Sequence, residues 1–176
     1  MFSGKTEALI ETVQRAERSG TRVSLLKPAL DWLHPGEVVS HAGTRHRSID
    51  VESGEGILLA GKGAEVVALD EGQFLEATGV AALLDLVRGG ADVTVAGLDL
   101  DFRAEPVPIV EALRRSANDI RLLTATCTRC GGQATRTQRF VGGLPAALDD
   151  PTIVLGGLET YQPRCERCYV AERTEA

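Results

Sequence analysis

The stretch Met1-Phe2-Ser3-Gly4-Lys5-Thr6 opens the chain, and the reading of its last three residues decides what the rest can be. Gly4-Lys5-Thr6 is the second half of a P-loop, written in full as G-x-x-x-x-G-K-[ST]. Gly4 lets backbone N–H groups close around phosphate oxygens, and Lys5 brings a cation to the β/γ-phosphates. Thr6 offers a hydroxyl to Mg²⁺, and the helix that follows points its positive end at the anion. The first Gly of the pattern falls before Met1, as does the strand that leads into it, so the expectation is a chain trimmed at its N-terminus. Taken alone, Gly4-Lys5-Thr6 fits an ordinary helix start with Ser3 as N-cap about as well. The stretches beyond it have to decide.

Leu9, Val13 and Ala16 recur at helical spacing, which predicts a helix over Glu7 to Ser19 with Gly20 at its end. Val23-Ser24-Leu25-Leu26 then reads as a short strand stopped by Pro28. A helix followed promptly by a strand is the rhythm of a parallel α/β sheet. Ala29 to Gly63 is less legible. Val38-Val39 reads as a brief strand, Thr44 to Asp50 as a mobile polar loop, and Ile57 to Gly61 as a short helix. His41 and His46 have no Cys or carboxylate at metal spacing and read as solvated or core-satisfied.

Glu65 to Phe74 is the second informative stretch. Val66-Val67-Ala68-Leu69 is an apolar run ending in Asp70-Glu71, as expected of a buried parallel strand whose carboxyl end opens onto a site. In P-loop proteins an acidic residue at such a strand end holds the Mg²⁺. Adjacent strand residues point to opposite faces, so Asp70 at the metal leaves Glu71 free to meet a second substrate. The same rhythm continues with a helix over Val80 to Arg88, a strand over Val93 to Ala96, a helix from Pro106 and Pro108 to Arg115, and a further strand over Ile120 to Ala125. The fold class is therefore α/β, a parallel sheet flanked by helices.

From Cys127 the character changes. Cys127-Thr128-Arg129-Cys130 and Cys165-Glu166-Arg167-Cys168 hold all four cysteines in two C-x-x-C knuckles, the pattern of a structural zinc site. Four thiolates leave no open coordination position, so such a metal shapes the chain and does no chemistry. The long excursion between the pairs carries Gly142-Gly143 and Gly156-Gly157 and reads as a flexible loop pinned at its base. The division expected is 1–126 for the nucleotide-binding domain and 127–176 for the zinc subdomain.

At 176 residues the chain is long enough to bury a real core. A net charge of −6 argues against a general nucleic-acid or anionic-membrane surface. Arg129, Arg136, Arg139, Arg164 and Arg167 cluster near the cysteines, yet the acidic total and scarce aromatics make a zinc-ribbon nucleic-acid binder a poor fit. No segment approaches the roughly 18 apolar residues of a membrane span. Lys5 and Glu7 stand where a signal peptide needs its apolar run, so the chain reads as cytoplasmic.

Together these stretches make the sequence resemble the class II (cellular type) thymidine kinases. The resemblance runs in order through Met1 to Thr6, Leu26-Lys27-Pro28, Ser40-His41, Asp70-Glu71-Gly72-Gln73-Phe74 and Gly97-Leu98-Asp99-Leu100-Asp101-Phe102-Arg103. It continues through the first Cys pair, Thr137-Gln138-Arg139, Gly156-Gly157 with Tyr161, and the second Cys pair. It implies a RecA-like P-loop domain joined to a zinc ribbon that carries a substrate-closing loop. The implied reaction moves the γ-phosphoryl of ATP to the 5′-hydroxyl of thymidine, with Glu71 as the base. Ser3, Gly4, Lys5, Thr6, Asp70, Gln73 and Arg139 are implied on the ATP side, with Mg²⁺ at Thr6 and Asp70. Met1, Phe74, Leu98, Phe102 and Thr137 are implied at the nucleoside, with Val154, Gly156 and Tyr161 from the closing loop. A homotetramer and feedback inhibition by dTTP are implied as well. Two departures stand out: Trp32-Leu33 follows Asp31 where the family commonly has an Arg, and Val107 replaces an aromatic. The alternative is a nucleotide-binding remnant of such a kinase without catalysis.

Overall fold

Leu9, Ile10 and Val13 lie on one face of the first helix, and their burial against a strand at Leu25 begins the fold. The structure is a computed structural model describing residues 1–152, 154 and 156–171. It divides into two compact units: Gly4–Leu98 with Pro108–Asp119, and Met1–Ser3 with Asp99–Val107 and Ile120–Ala176. The second unit therefore draws on chain well before residue 127.

In the first of these, helix α1 (Lys5–Arg18) starts from Gly4, which takes a left-handed φ of 77°. No side chain caps it, so Ser3 does not play the N-cap part that an ordinary helix start would need. Strands β1 (Val23–Pro28), β2 (Glu37–Val39), β3 (Arg45–Arg47) and β4 (Ile49–Val51) precede helix α2 (Gly54–Gly61). Then come β5 (Val66–Leu69), helix α3 (Ala77–Arg88), β6 (Asp92–Val95) and helix α4 (Pro108–Ser116). The main sheet has the order β4-β1-β5-β6, all parallel. Successive strand residues feed opposite faces. Leu25 and Ala68 join α1 on one side, while Leu26, Val67 and Leu69 pack with Ile57, Ala82 and Leu83 on the other. Both faces are covered, which is why these strands read as unbroken apolar runs.

Two expectations are corrected here. Residues 44–50 are not a loop: β3 pairs antiparallel with β2, and β4 joins the parallel sheet beside β1. Polar contacts mark β3, Arg45 to Glu37 of β2 at 2.8 Å and His46 to Glu17 of α1 at 3.1 Å, and leave no hydrophobic alternation to read. Residues 120–124 form no strand, and only Ala125 enters one. Among the described residues β6 pairs with β5 alone, and Ile120 and Leu122 stay 46% and 66% exposed. An apolar run becomes a strand only where an edge accepts it.

The second unit is antiparallel. Strands β7 (Ala125–Thr126) and β8 (Gln133–Ala134) flank the first Cys pair. Strand β9 (Arg136–Val141) lies between β10 (Leu144–Pro145) and β11 (Tyr161–Arg164). Gly142-Gly143, expected within a flexible loop, instead turn the β9–β10 hairpin, with Val141 opposite Leu144 and φ of 59° and 83° at the two glycines. A two-residue turn that matches strand twist needs positive φ at both positions, which glycine supplies without strain. Phe102, Ala146 and Tyr161 form the core of this unit, with Met1 and Phe2 packed against it.

Candidate active site

In the first unit the carboxyl end of β5 meets the start of α1. The Thr6 hydroxyl donates to Asp70 Oδ2 at 2.8 Å, tying the P-loop residue to the strand end across 64 positions of sequence. Asp70 is 3% exposed, and its Oδ1 is buried with no hydrogen-bond partner among the described residues. Burial pushes its carboxyl up to about 6, helped by the negative charge of Glu71; Lys5 and the Thr6 bond pull the other way. A buried carboxylate with a free oxygen beside a hydroxyl is a hard-oxygen donor pair. Mg²⁺ favours such pairs, completing its octahedron with water and phosphate oxygens. Thr6 and Asp70 therefore fit the ion.

Glu71 stands where the strand has ended, at φ 52°. A left-handed glutamate is an uncommon and costly backbone state, and such outliers concentrate at working sites. The close pass behind it is made by Gly72, whose N–H donates to Ala96 O at 2.8 Å. A Cβ on Gly72 would lie 2.6 Å from Val95 Cγ1, so the turn needs glycine there. Glu71 Oε1 lies 3.8 Å from Lys5 Nζ, and its Oε2 accepts from Gln73 Nε2. Gln73 Oε1 in turn accepts from Leu98 N at 3.1 Å, so the loop after β6 holds the amide that holds Glu71. Lys5, Thr6, Asp70, Glu71, Gln73 and Leu98 are thus brought together by these contacts, with Gly4 next to them in the chain. Phe74 lies apart from that network, lining a cleft of about 400 Å³ with Pro28, Leu30, Val51 and Leu75.

Two further features of this unit involve residues the resemblance named without assigning them a contact. Ser40 Oγ donates to Glu7 Oε1 at 2.9 Å, pinning the Ser40–Thr44 turn to the first turn of α1. Partial burial and the Lys5 cation hold the His41 imidazole, on that turn, below its usual pKa. Lys27, 1% exposed, sends its ammonium into the Asp31 and His34 carbonyls at 2.8 and 2.7 Å and so shapes the Asp31-Trp32-Leu33 turn.

The second unit gathers most residues expected at the nucleoside. Asp101 Oδ1 accepts from the N–H groups of Arg103 and Glu105 at 2.8 and 2.9 Å. That closes the Asp99–Val107 loop and presents Phe102. Thr137 on β9 is bonded to the Met1 amino group at 3.0 Å. The Tyr161 hydroxyl donates to Val154 O at 2.7 Å, fixing one point of the excursion, and a Cβ on Gly156 would strike Thr160. Arg139 is 4% exposed. Its guanidinium lies 4.8 Å from the Phe102 ring centroid, donates to Pro151 O, and stands 3.9 Å from Asp150. Arg103, 5.2 Å from the same ring, donates to Asp150 O at 2.9 Å. Each of the two arginines keeps a buried Nε with no partner among the described residues.

The ligand atoms of Cys127, Cys130, Cys165 and Cys168 all lie within 4.8 Å of one another. A tetrahedral zinc with Zn–S near 2.3 Å spaces its sulfurs about 3.8 Å apart, and Cys130 and Cys165 Sγ already stand at 3.6 Å. Despite some desolvation, backbone hydrogen bonds at Cys165, Arg129 and Cys130 bring Cys127 down to about 6. Hydrogen bonding with Cys165 is foremost in pushing Cys168 up to about 12. Four thiols this close cannot ionise together without a cation, which is the condition zinc satisfies.

Comparison with known proteins agrees with this geometry. A profile of the family described as Thymidine kinase matches residues 1–169. A protein named Thymidine kinase from Coprothermobacter proteolyticus is 46% identical over 166 residues, covering 94% of this chain and 84% of its own. One from Deinococcus radiodurans is 44% identical over 174 residues, covering 92% and 82%, and one from Deinococcus deserti 42% over 185 residues, covering 98% and 92%. Because the matched span takes in Gly4-Lys5-Thr6, Asp70-Glu71 and both cysteine pairs, the chain belongs to the thymidine kinase family.

Proposed function

We propose that this chain transfers the γ-phosphoryl of ATP to the 5′-hydroxyl of thymidine, forming dTMP for pyrimidine deoxynucleoside salvage in the cytoplasm. The observation that carries the reading is the Thr6–Asp70–Glu71–Lys5 cluster, with its orphaned Asp70 oxygen and strained Glu71. Thr6 and Asp70 would hold Mg²⁺, which when bound would supply charge neutralisation to the transferring phosphates. Ser3 and the Gly4 backbone line the phosphates, and Lys5 meets them with its ammonium. An arriving triphosphate competes with Glu71 for that ammonium, releasing the Glu71 carboxylate to accept the proton of the 5′-hydroxyl. Gln73 keeps the carboxylate oriented through the amide contact it already makes. Arg139 is assigned to the ATP side with these residues. Met1, Phe74, Leu98, Phe102, Thr137, Val154, Gly156 and Tyr161 bind the nucleoside. Zinc at the four cysteines is structural. Homotetramer assembly and dTTP inhibition complete the reading.

The test is transfer of labelled phosphate from Mg·ATP to thymidine. Labelled dTMP, lost when Mg²⁺ is chelated, supports the proposal. Tight ATP binding with no transfer to thymidine or deoxyuridine overturns it in favour of a nucleotide-binding remnant.

A further inference from the structure

Tyr169 follows directly on the last cysteine, and its backbone belongs to the knuckle: its N–H donates to Cys165 O at 2.9 Å, beside that of Cys168 at 3.0 Å. The next residue is held from another strand. Val170 N–H donates to Gln138 Oε1 at 2.8 Å, and Gln138 Nε2 donates back to Val170 O at 3.1 Å. This reciprocal amide pair imitates a rung of sheet, and Gln138, 3% exposed, lies on β9 between Thr137 and Arg139. With its backbone held on both sides, Tyr169 reaches back across 67 positions of sequence. There its hydroxyl donates to the carbonyl of Phe102 at 2.7 Å.

That bond lands on the residue that the Asp99–Val107 loop is built to present. The loop is closed internally by Asp101, and Phe102 is buried to 5% against Ala146 and Tyr161. Internal closure fixes the loop's shape, and the Phe102 ring is held from its side by Arg139 and by Tyr161. Tyr169 adds the restraint on the main chain, bonding the Phe102 carbonyl to the cysteine knuckle. We infer that Tyr169 is a positioning residue for the nucleoside, setting the Phe102 ring against the base through the Phe102 carbonyl. The inference rests on the proposed function, in which Phe102 and Thr137 meet the base. Tyr169 itself touches neither substrate nor phosphate in this assignment. Its loss therefore weakens nucleoside binding in ground state and transition state alike, a uniform-binding defect.

Tyr169→Phe keeps the ring and removes only the hydroxyl. Losing one hydrogen bond of this kind is expected to raise the thymidine KM roughly five- to tenfold. The kcat, the ATP KM and the zinc content per chain are expected to stay within twofold of wild type. Thymidine affinity from equilibrium dialysis without ATP is expected to fall by the same factor as KM rises. An unchanged thymidine KM and affinity would overturn the inference. A matching loss in kcat and in the KM of both substrates, with a lowered melting point, would overturn it too, since Tyr169 would then be packing alone. If the wild-type chain does not phosphorylate thymidine, the proposed function fails first and the inference falls with it.

Discussion

Asp70 and Glu71 sit side by side in sequence and in opposite electrostatic circumstances. Asp70 is buried beside another carboxylate, and its pKa is raised from 3.8 to about 6. A folded pKa above the unfolded value means that this carboxyl favours the fold fully below about pH 4. That contribution is lost as the pH rises through 6. Asp70→Asn removes the cost of the buried charge. Without Mg²⁺, thermal scans are expected to show the variant melting roughly 5 °C above wild type at pH 8, with the gap closing by pH 4. The same variant is expected to lose Mg²⁺-dependent turnover; an equal melting point at both pH values would count against an ionised, strained Asp70. Glu71 is a different case, one carboxylate oxygen 3.8 Å from the Lys5 ammonium and the other bonded to Gln73. For Glu71→Gln, kcat is expected to fall about 10²- to 10⁴-fold while ATP binding by calorimetry persists. Near-normal turnover would remove Glu71 from the role of base.

Among the elements, the cysteine knuckles and β9 carry the second unit. The four sulfurs draw together chain on either side of a long excursion, and Gln138 and Tyr169 pass that constraint to β9 and to the Phe102 loop. Arg103 and Arg139 add a second tie, holding Asp150 and Pro151 at the start of the excursion's far half. Removing one ligand should therefore loosen more than the knuckle. Cys165→Ser is expected to drop zinc from one per chain to a small fraction by atomic emission. Limited proteolysis is expected to cut between residues 146 and 160 at least tenfold faster, as folding energy supplied by the metal is withdrawn. Full zinc content in the variant would refute the four-cysteine site.

At the scale of the molecule, several apolar side chains stay uncovered on the protomer. Trp32 is 66% exposed, Leu59 74% and Leu144 71%. Scattered exposed apolar residues are ordinary on a single chain, so the tetramer stands only as part of the proposed function. Light scattering coupled to size exclusion is expected to return about four times the 18.7 kDa protomer mass. A protomer mass at micromolar concentration would remove the tetramer from the reading. Among the described residues no helix is long and apolar enough to cross a membrane.

What the sequence determined by itself was the chemistry that is local in the chain. Gly4-Lys5-Thr6, Asp70-Glu71 and the paired cysteines could be picked out as candidates because phosphate, magnesium and zinc sites each demand particular residue types at short spacing. The parallel sheet was legible for a similar reason: strands buried on both faces must be apolar throughout, as Val66 to Leu69 are. Other features were decided only by tertiary structure. The β2–β3 hairpin carries a polar Arg45–Glu37 pair, and the apolar residues of 120–124 stay outside every described strand. Glu71 takes a left-handed turn that no residue type announces. The Tyr169 hydroxyl finds a carbonyl, which every residue carries, so the sequence holds no sign of which one it will be. Hydrogen bonds between distant main-chain and side-chain atoms are specified by packing, and packing exists only once the chain has folded.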